Sequence, residues 1–209
     1  MESFTLDYAH STVHLALFKH VSNSSQLRQR LVAASTLPHD EHGNSERSTV
    51  DYAFIDASMI TSRLHLLTAV TQALLAQSHD SLKSKTLHSE VIWMLEPGTN
   101  ISEALKHFGL SAKTTNLLLV KVQPTPTTGE STTTREEIEE GMKRIVQGQI
   151  DSLETLGNLP EGGTNDKSLR KIYKLNGDAA LSSLQPGSAQ FLKTLDELVT
   201  SSVALKSVM

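Results

Sequence analysis

Apolar positions along the chain follow two rhythms. Val13 to Phe18 is a short, mostly apolar run of the length of a buried strand, Asn116 to Val122 repeats it, and Ala53 to Asp56 reads as a short strand or a tight connection. Elsewhere the spacing is helical. Leu27, Leu31 and Ala34 line one face of Asn23 to Ala34, and Leu64, Leu67, Val70 and Leu74 are expected to point inward from a helix over Ser58 to Gln77. The uninterrupted run Val91-Ile92-Trp93-Met94-Leu95 has strand length and predicts a further buried strand. Glu96-Pro97-Gly98-Thr99 then reads as a turn, and Asn100 as a helix cap with Glu103 closing a capping box. Ile101, Ala104, Leu105 and Phe108 share a face of that helix, which Gly109 ends. Arg135 to Gln147, Lys167 to Leu175 and Ala189 to Leu205 also read as helices. The pattern predicts a mixed α and β fold: a small central β-sheet surrounded by helices, with a helix-rich C-terminal third.

Two polar stretches interrupt it. Thr36 to Thr49 holds Pro38, Gly43 and many charged groups, too little apolar surface to offset its ordering entropy, so residues 36–49 are expected to be a mobile insertion. Residues 123–134, built around PTPTTGESTTT, are expected to be a second one. Asn158 to Asn165 reads as loop, and no internal repeat is present. With 209 residues, one domain spanning 1–209 is the natural expectation. No apolar run has the length of a membrane span, and the first residues lack a signal peptide's basic and apolar regions. The reading is of a soluble, intracellular protein with no membrane partner.

Composition narrows the chemistry. No cysteine is present, which excludes disulfides and zinc-thiolate sites. The net charge of −4 argues against an autonomous nucleic-acid binder but allows a local basic patch. Nine histidines include His39-x-x-His42 and the pair His10 and His14, yet none forms a recognisable metal set. No nucleophile elbow, Walker loop or dinucleotide fingerprint occurs. The expectation is therefore no enzyme, no cofactor, no metal and no catalytic residue.

Two surfaces remain as candidates. Lys83, Lys85 and His88 precede the Val91 run, and Asn100, Ser102 and Lys106 open the helix after it, so a phosphate could be held if the fold joins these ends. The simpler reading is that Asn100 only caps its own helix while the lysines meet solvent. Leu169, Ile172, Tyr173, Phe191, Leu195, Leu198 and Val199 form wide apolar stripes on the last helices. Such stripes serve a core, or a core and a partner at once.

The order of these segments is also informative. Lys83 to Glu90, the apolar run, Asn100-Ile-Ser-Glu-Ala-Leu through Phe108-Gly109, and later Arg170-Lys-Ile-Tyr-Lys-Leu175 resemble the kinase-binding subunit family of the KEOPS (EKC) complex, known in animals as TPRKB. Val13 to Arg30 adds a weaker match, and together they cover most of the chain, as in a fungal member. The resemblance implies a non-catalytic subunit that binds and stimulates the small kinase-like ATPase of KEOPS, meeting other KEOPS subunits indirectly. It implies help in recruiting tRNA by its 3′ CCA end, for threonylcarbamoyladenosine formation beside the anticodon. It further implies a link to telomere maintenance and residence in nucleus and cytoplasm. The polar stretches at 36–49 and 123–134 look longer than that family's compact form. Two rivals stand beside this reading: a kinase-binding module without tRNA affinity, and a small-molecule enzyme with an unrecognised site.

Overall fold

The computed structural model describes residues 1–125, 133–157 and 163–206. In chain order, β1 (Glu2–Leu6) and β2 (Ser11–Lys19) precede α1 (Ser24–Thr36), α2 (Glu41–Thr49) and β3 (Ala53–Asp56). Three helices follow, α3 (Arg63–Ser78), α4 (Leu87–Leu95) and α5 (Ile101–His107), before β4 (Leu117–Pro124). Then come α6 (Arg135–Ile145), β5 (Gln149–Asp151), α7 (Asp166–Ile172), α8 (Ala179–Ser182) and α9 (Ala189–Leu205). The fold is thus mixed α and β, as the patterning predicts. The chain divides into two compact units. The first comprises the described residues of Met1–Asp56 and Gly109–Ser152, the second those of Ala57–Phe108 and Leu153–Met209.

The first unit is built on an open antiparallel sheet of order β1-β2-β4-β3, with β5 pairing the far end of β2. β2 and β4 pair from Ser11↔Pro124 to Phe18↔Leu117, which fixes register. Alternate residues Ala16 and Phe18, Leu117 and Leu119, and Phe54 share one face, where Leu27 of α1 and Ile138 and Met142 of α6 pack on them. β1 and β5 do not stand out in the sequence, since Glu2–Leu6 and Gln149–Asp151 are short and carry only two and one apolar residues.

Residues 36–49 correct one expectation, because most of them form α2. Its order comes from charge-assisted hydrogen bonds rather than from burial. Asp40 caps the helix by accepting from Gly43 N at 2.7 Å. The Arg47 guanidinium donates to the carbonyls of Leu37 and Pro38, each at 3.0 Å, and Arg30 reaches Glu46 at 3.2 Å. The second polar stretch is described only at its ends: Gln123 and Pro124 complete β4, and Thr134 caps α6. Residues 126–132 lie outside the described residues, as do 158–162 of the loop expected after Asn158.

The second unit is helical. α9 buries Phe191, Leu195, Val199 and Val203, one residue per turn. α3 buries His65, Leu66, Ala69, Val70, Ala73 and Leu74. Val70 and Leu74 point inward as expected, whereas Leu64 is 63% exposed and Leu67 half-buried. α3 carries apolar residues on every side, so spacing alone selects more than one face. The run Val91–Leu95 is likewise helix, not strand. Thr86 and Ser89 form a capping box that starts α4, and burial of every residue from Glu90 to Leu95 erases the helical alternation. Among the described residues no helix is long and apolar enough to cross a membrane.

Candidate functional site

The loop before α4 is shaped by a buried carboxylate. Glu90, with no exposed surface, sits in the first turn of α4 and faces back along the chain. Lys83 N donates to Oε1 at 3.1 Å and to Oε2 at 3.0 Å, Ser84 N to Oε2 at 2.7 Å, and the Ser84 hydroxyl to Oε2 at 2.6 Å. Two consecutive amides thus close on one anion, which fixes the backbone from which Lys83 and Lys85 project. Both lysines are exposed, and neither finds an ion-pair partner among the described residues. Hydrogen bonds to a charged acceptor contribute more than neutral ones, so Glu90→Gln is expected to cost about 2 kcal/mol of stability. Urea unfolding of the two proteins at neutral pH measures this.

The other candidate residues distribute unevenly. His88 is buried, only 6% exposed, and does not join the exposed lysines at the surface. Asn100 does cap α5, accepting from Ser102 N at 2.9 Å, while Glu103 pairs instead with Lys106 at 3.5 Å and His107 at 3.4 Å. α4 is nine residues long, roughly 13 Å, and separates the lysine loop from Asn100 and Ser102. Of the apolar set, Leu169, Tyr173, Phe191, Leu195 and Val199 lie in the core of the second unit; only Ile172 and Leu198 keep partial exposure.

Beneath these surfaces runs a buried polar chain that residue spacing did not reveal. Thr61 Oγ1 donates to Asp196 Oδ1 at 2.6 Å, and Thr61 N donates to His65 Nδ1 at 3.3 Å. That leaves the His65 proton on Nε2, 3.4 Å from the Tyr173 hydroxyl, which in turn donates to the Leu95 carbonyl. Burial pushes the His65 pKa down to about 4 against the pull of Asp196, and holds the Tyr173 phenol well above its usual value. At the same end of α4, Lys206 donates to the carbonyls of Trp93 and Glu96, its ammonium 3.3 Å from the Trp93 ring centroid. Burial draws its pKa down to about 8, opposed by Glu96 and Glu90. His107 Nδ1 meets the Glu96 carboxylate at 2.7 Å.

Comparison with known proteins agrees with the order of segments. The family described as kinase binding protein CGI-121 matches residues 18–207. The EKC/KEOPS complex subunit CGI121 of Gibberella zeae is 33% identical over 210 residues, covering 100% of this chain and 99% of its own. The subunit of that name from Cryptococcus neoformans var. neoformans serotype D (strain JEC21) is 31% identical over 233 residues, covering 96% and 95%. That of Schizosaccharomyces pombe is 31% identical over 171 residues, covering 81% and 85%. With nearly its whole length accounted for in this way, the chain belongs to the CGI-121 family of kinase-binding proteins.

Proposed function

We propose that the chain acts as a non-catalytic accessory subunit of an EKC/KEOPS complex. It binds and stimulates the kinase-like ATPase of that complex and helps recruit tRNA for threonylcarbamoyladenosine formation. The observation that carries this reading is the family match over residues 18–207, joined by relatives named as subunits of that complex. One serine–histidine side-chain pair shows an arrangement unsuited to nucleophilic catalysis. Ser3 Oγ lies 2.9 Å from His14 Nδ1, but His14 Nε2 is buried with no hydrogen-bond partner, so no third group orients the imidazole as a base. Mixing the purified chain with the kinase-like subunit tests the main claim: co-elution and raised ATP hydrolysis are expected, and the chain alone should hydrolyse nothing.

The tRNA part of the reading is supported by the lysine loop. Two exposed cations on a backbone fixed from beneath suit phosphate contacts to an unpaired RNA end. Replacing Lys83 and Lys85 by Glu is expected to lower tRNA affinity about tenfold near 0.1 M salt. The slope of log K against log salt should fall by about 1.4, from roughly 0.7 per single-strand phosphate contact. Circular dichroism should not change. Equal binding by variant and wild type at several salt concentrations would favour the kinase-binding module without tRNA affinity.

A further inference from the structure

A cavity of about 270 Å³ opens on the second unit, walled by Thr61, Leu156 and Gly157 on one side and by Leu192, Lys193 and Asp196 of α9 on the other. Its walls are held firmly. Gly157 has φ +82°, and a Cβ there would fall 2.1 Å from the Thr61 carbonyl oxygen, so the chain lies on the Thr61 backbone at a contact only glycine permits. The Thr61 hydroxyl donates to Asp196 Oδ1 at 2.6 Å, and the Thr200 hydroxyl adds a longer contact to the same oxygen at 3.5 Å. Asp196 Oδ2 accepts no hydrogen bond and meets no cation among the described residues. A half-buried carboxylate is thus fixed at the cavity wall with one oxygen left over. Lys193 precedes it by one helical turn, which sets their Cβ atoms roughly 5–6 Å apart. The Lys193 ammonium is exposed, and it meets Glu197 only at 3.9 Å. The remaining wall is aliphatic, from buried Leu156 and half-buried Leu192.

We propose that this cavity binds a small zwitterion with a short aliphatic body, the chemistry of a free aliphatic α-amino acid. Its ammonium meets Asp196 Oδ2, its carboxylate meets Lys193, and its side chain lies on Leu156 and Leu192. Charge selects this class. A simple amine is repelled by Lys193 and a simple acid by Asp196, whereas a zwitterion satisfies both at once. Size selects it again, because sites for drug-sized ligands span about 300–1,000 Å³ and this cavity is smaller, too small to enclose a nucleotide. The hydrogen bond from Thr61 orders the carboxylate before any ligand arrives, as a binding constellation requires.

The test is a titration of the free chain with L-leucine, followed by amide NMR, beside two truncated probes: isocaproate, which lacks the ammonium, and isoamylamine, which lacks the carboxylate. L-leucine should bind saturably in the millimolar range, with the largest shifts at Thr61, Gly157, Lys193 and Asp196. Each truncated probe should bind about tenfold more weakly, since it leaves one charge of the site unpaired. Lys193→Ala removes only an exposed side chain, so it should weaken L-leucine about tenfold at an unchanged thermal midpoint. Asp196→Asn should abolish saturation; if that variant does not fold, Lys193→Ala and the two probes decide. Absence of saturable L-leucine binding overturns the proposal. Equal binding of either truncated probe, shifts confined to other parts of the chain, or full L-leucine affinity in Lys193→Ala overturn it as well. The titration uses the chain alone, so its outcome is independent of the kinase-binding and tRNA readings.

Discussion

Leu195→Asp is expected to unfold the helical unit outright. Leu195 has no exposed surface and packs within the buried line of α9. Removing a buried leucine costs about 3 kcal/mol through lost transfer energy and cavity, and an unpaired buried carboxylate adds several more. The total approaches the whole stability of an ordinary domain, roughly 5–15 kcal/mol. Leu198→Asp, one turn away on the half-buried flank, should cost about 1 kcal/mol and leave the helices formed. Circular dichroism at 222 nm and thermal melting separate the two. A folded, cooperatively melting Leu195→Asp protein would mean that this helix side is not core. Had Leu195, Phe191 and Val199 been partner residues only, the free chain would tolerate the charge.

Acid should weaken the protein well before its carboxylates titrate. His65 is neutral in the fold, with a pKa of about 4, against an ordinary value of 6.5 when the chain unfolds. Between these values the unfolded state binds the extra proton, so stability is complete above pH 6.5 and falls as pH drops towards 4. The loss reaches about 3 kcal/mol, at 1.36 kcal/mol per unit of pKa difference. His14 acts in the same direction, since burial, Arg135 and Lys121 all lower its pKa. Asp151 and Glu139 have lowered pKa values and matter only further into acid, while the lowered Lys206 acts near pH 8 and above. Urea midpoints at pH 7.5 and pH 5 measure the effect. His65→Gln should shrink the difference between the two, and a wild-type stability flat across that range would show that His65 is protonated in the fold.

Where one residue type decides a local outcome, the chain was legible. Ala189–Leu205 was readable to the residue because one buried side chain per turn stands against charged neighbours such as Lys193 and Glu197. β2 and β4 were readable because their apolar runs are short and bounded by turns. Val91–Leu95 failed for the opposite reason: a helix buried on all sides loses its polar face, and with it the period. The two lysines of the loop were visible, but Glu90 was not, because what matters is that its carboxylate turns back to two amides. His65 and Asp196 could not be paired from sequence, since Thr61 joins them across distant segments.

Neither unit is made from one continuous stretch of chain. A ribosome adding roughly 5–20 residues per second makes α3 and α9 on the order of ten seconds apart, with the returning strands of the first unit synthesised between them. Throughout that interval α3 has α4 beside it but lacks α9, the second helix it packs on. The nascent chain thus passes through a stage with a sticky, partly covered helix, a natural point for chaperone capture. Substitutions that weaken the α3–α9 pairing should therefore appear in cells first as low abundance, with the surviving molecules active. A fragment of 57–108 alone, cut at the unit's own boundary, would aggregate rather than fold, because a substantial part of its interior, Phe191, Leu195 and Val199 included, is encoded far downstream.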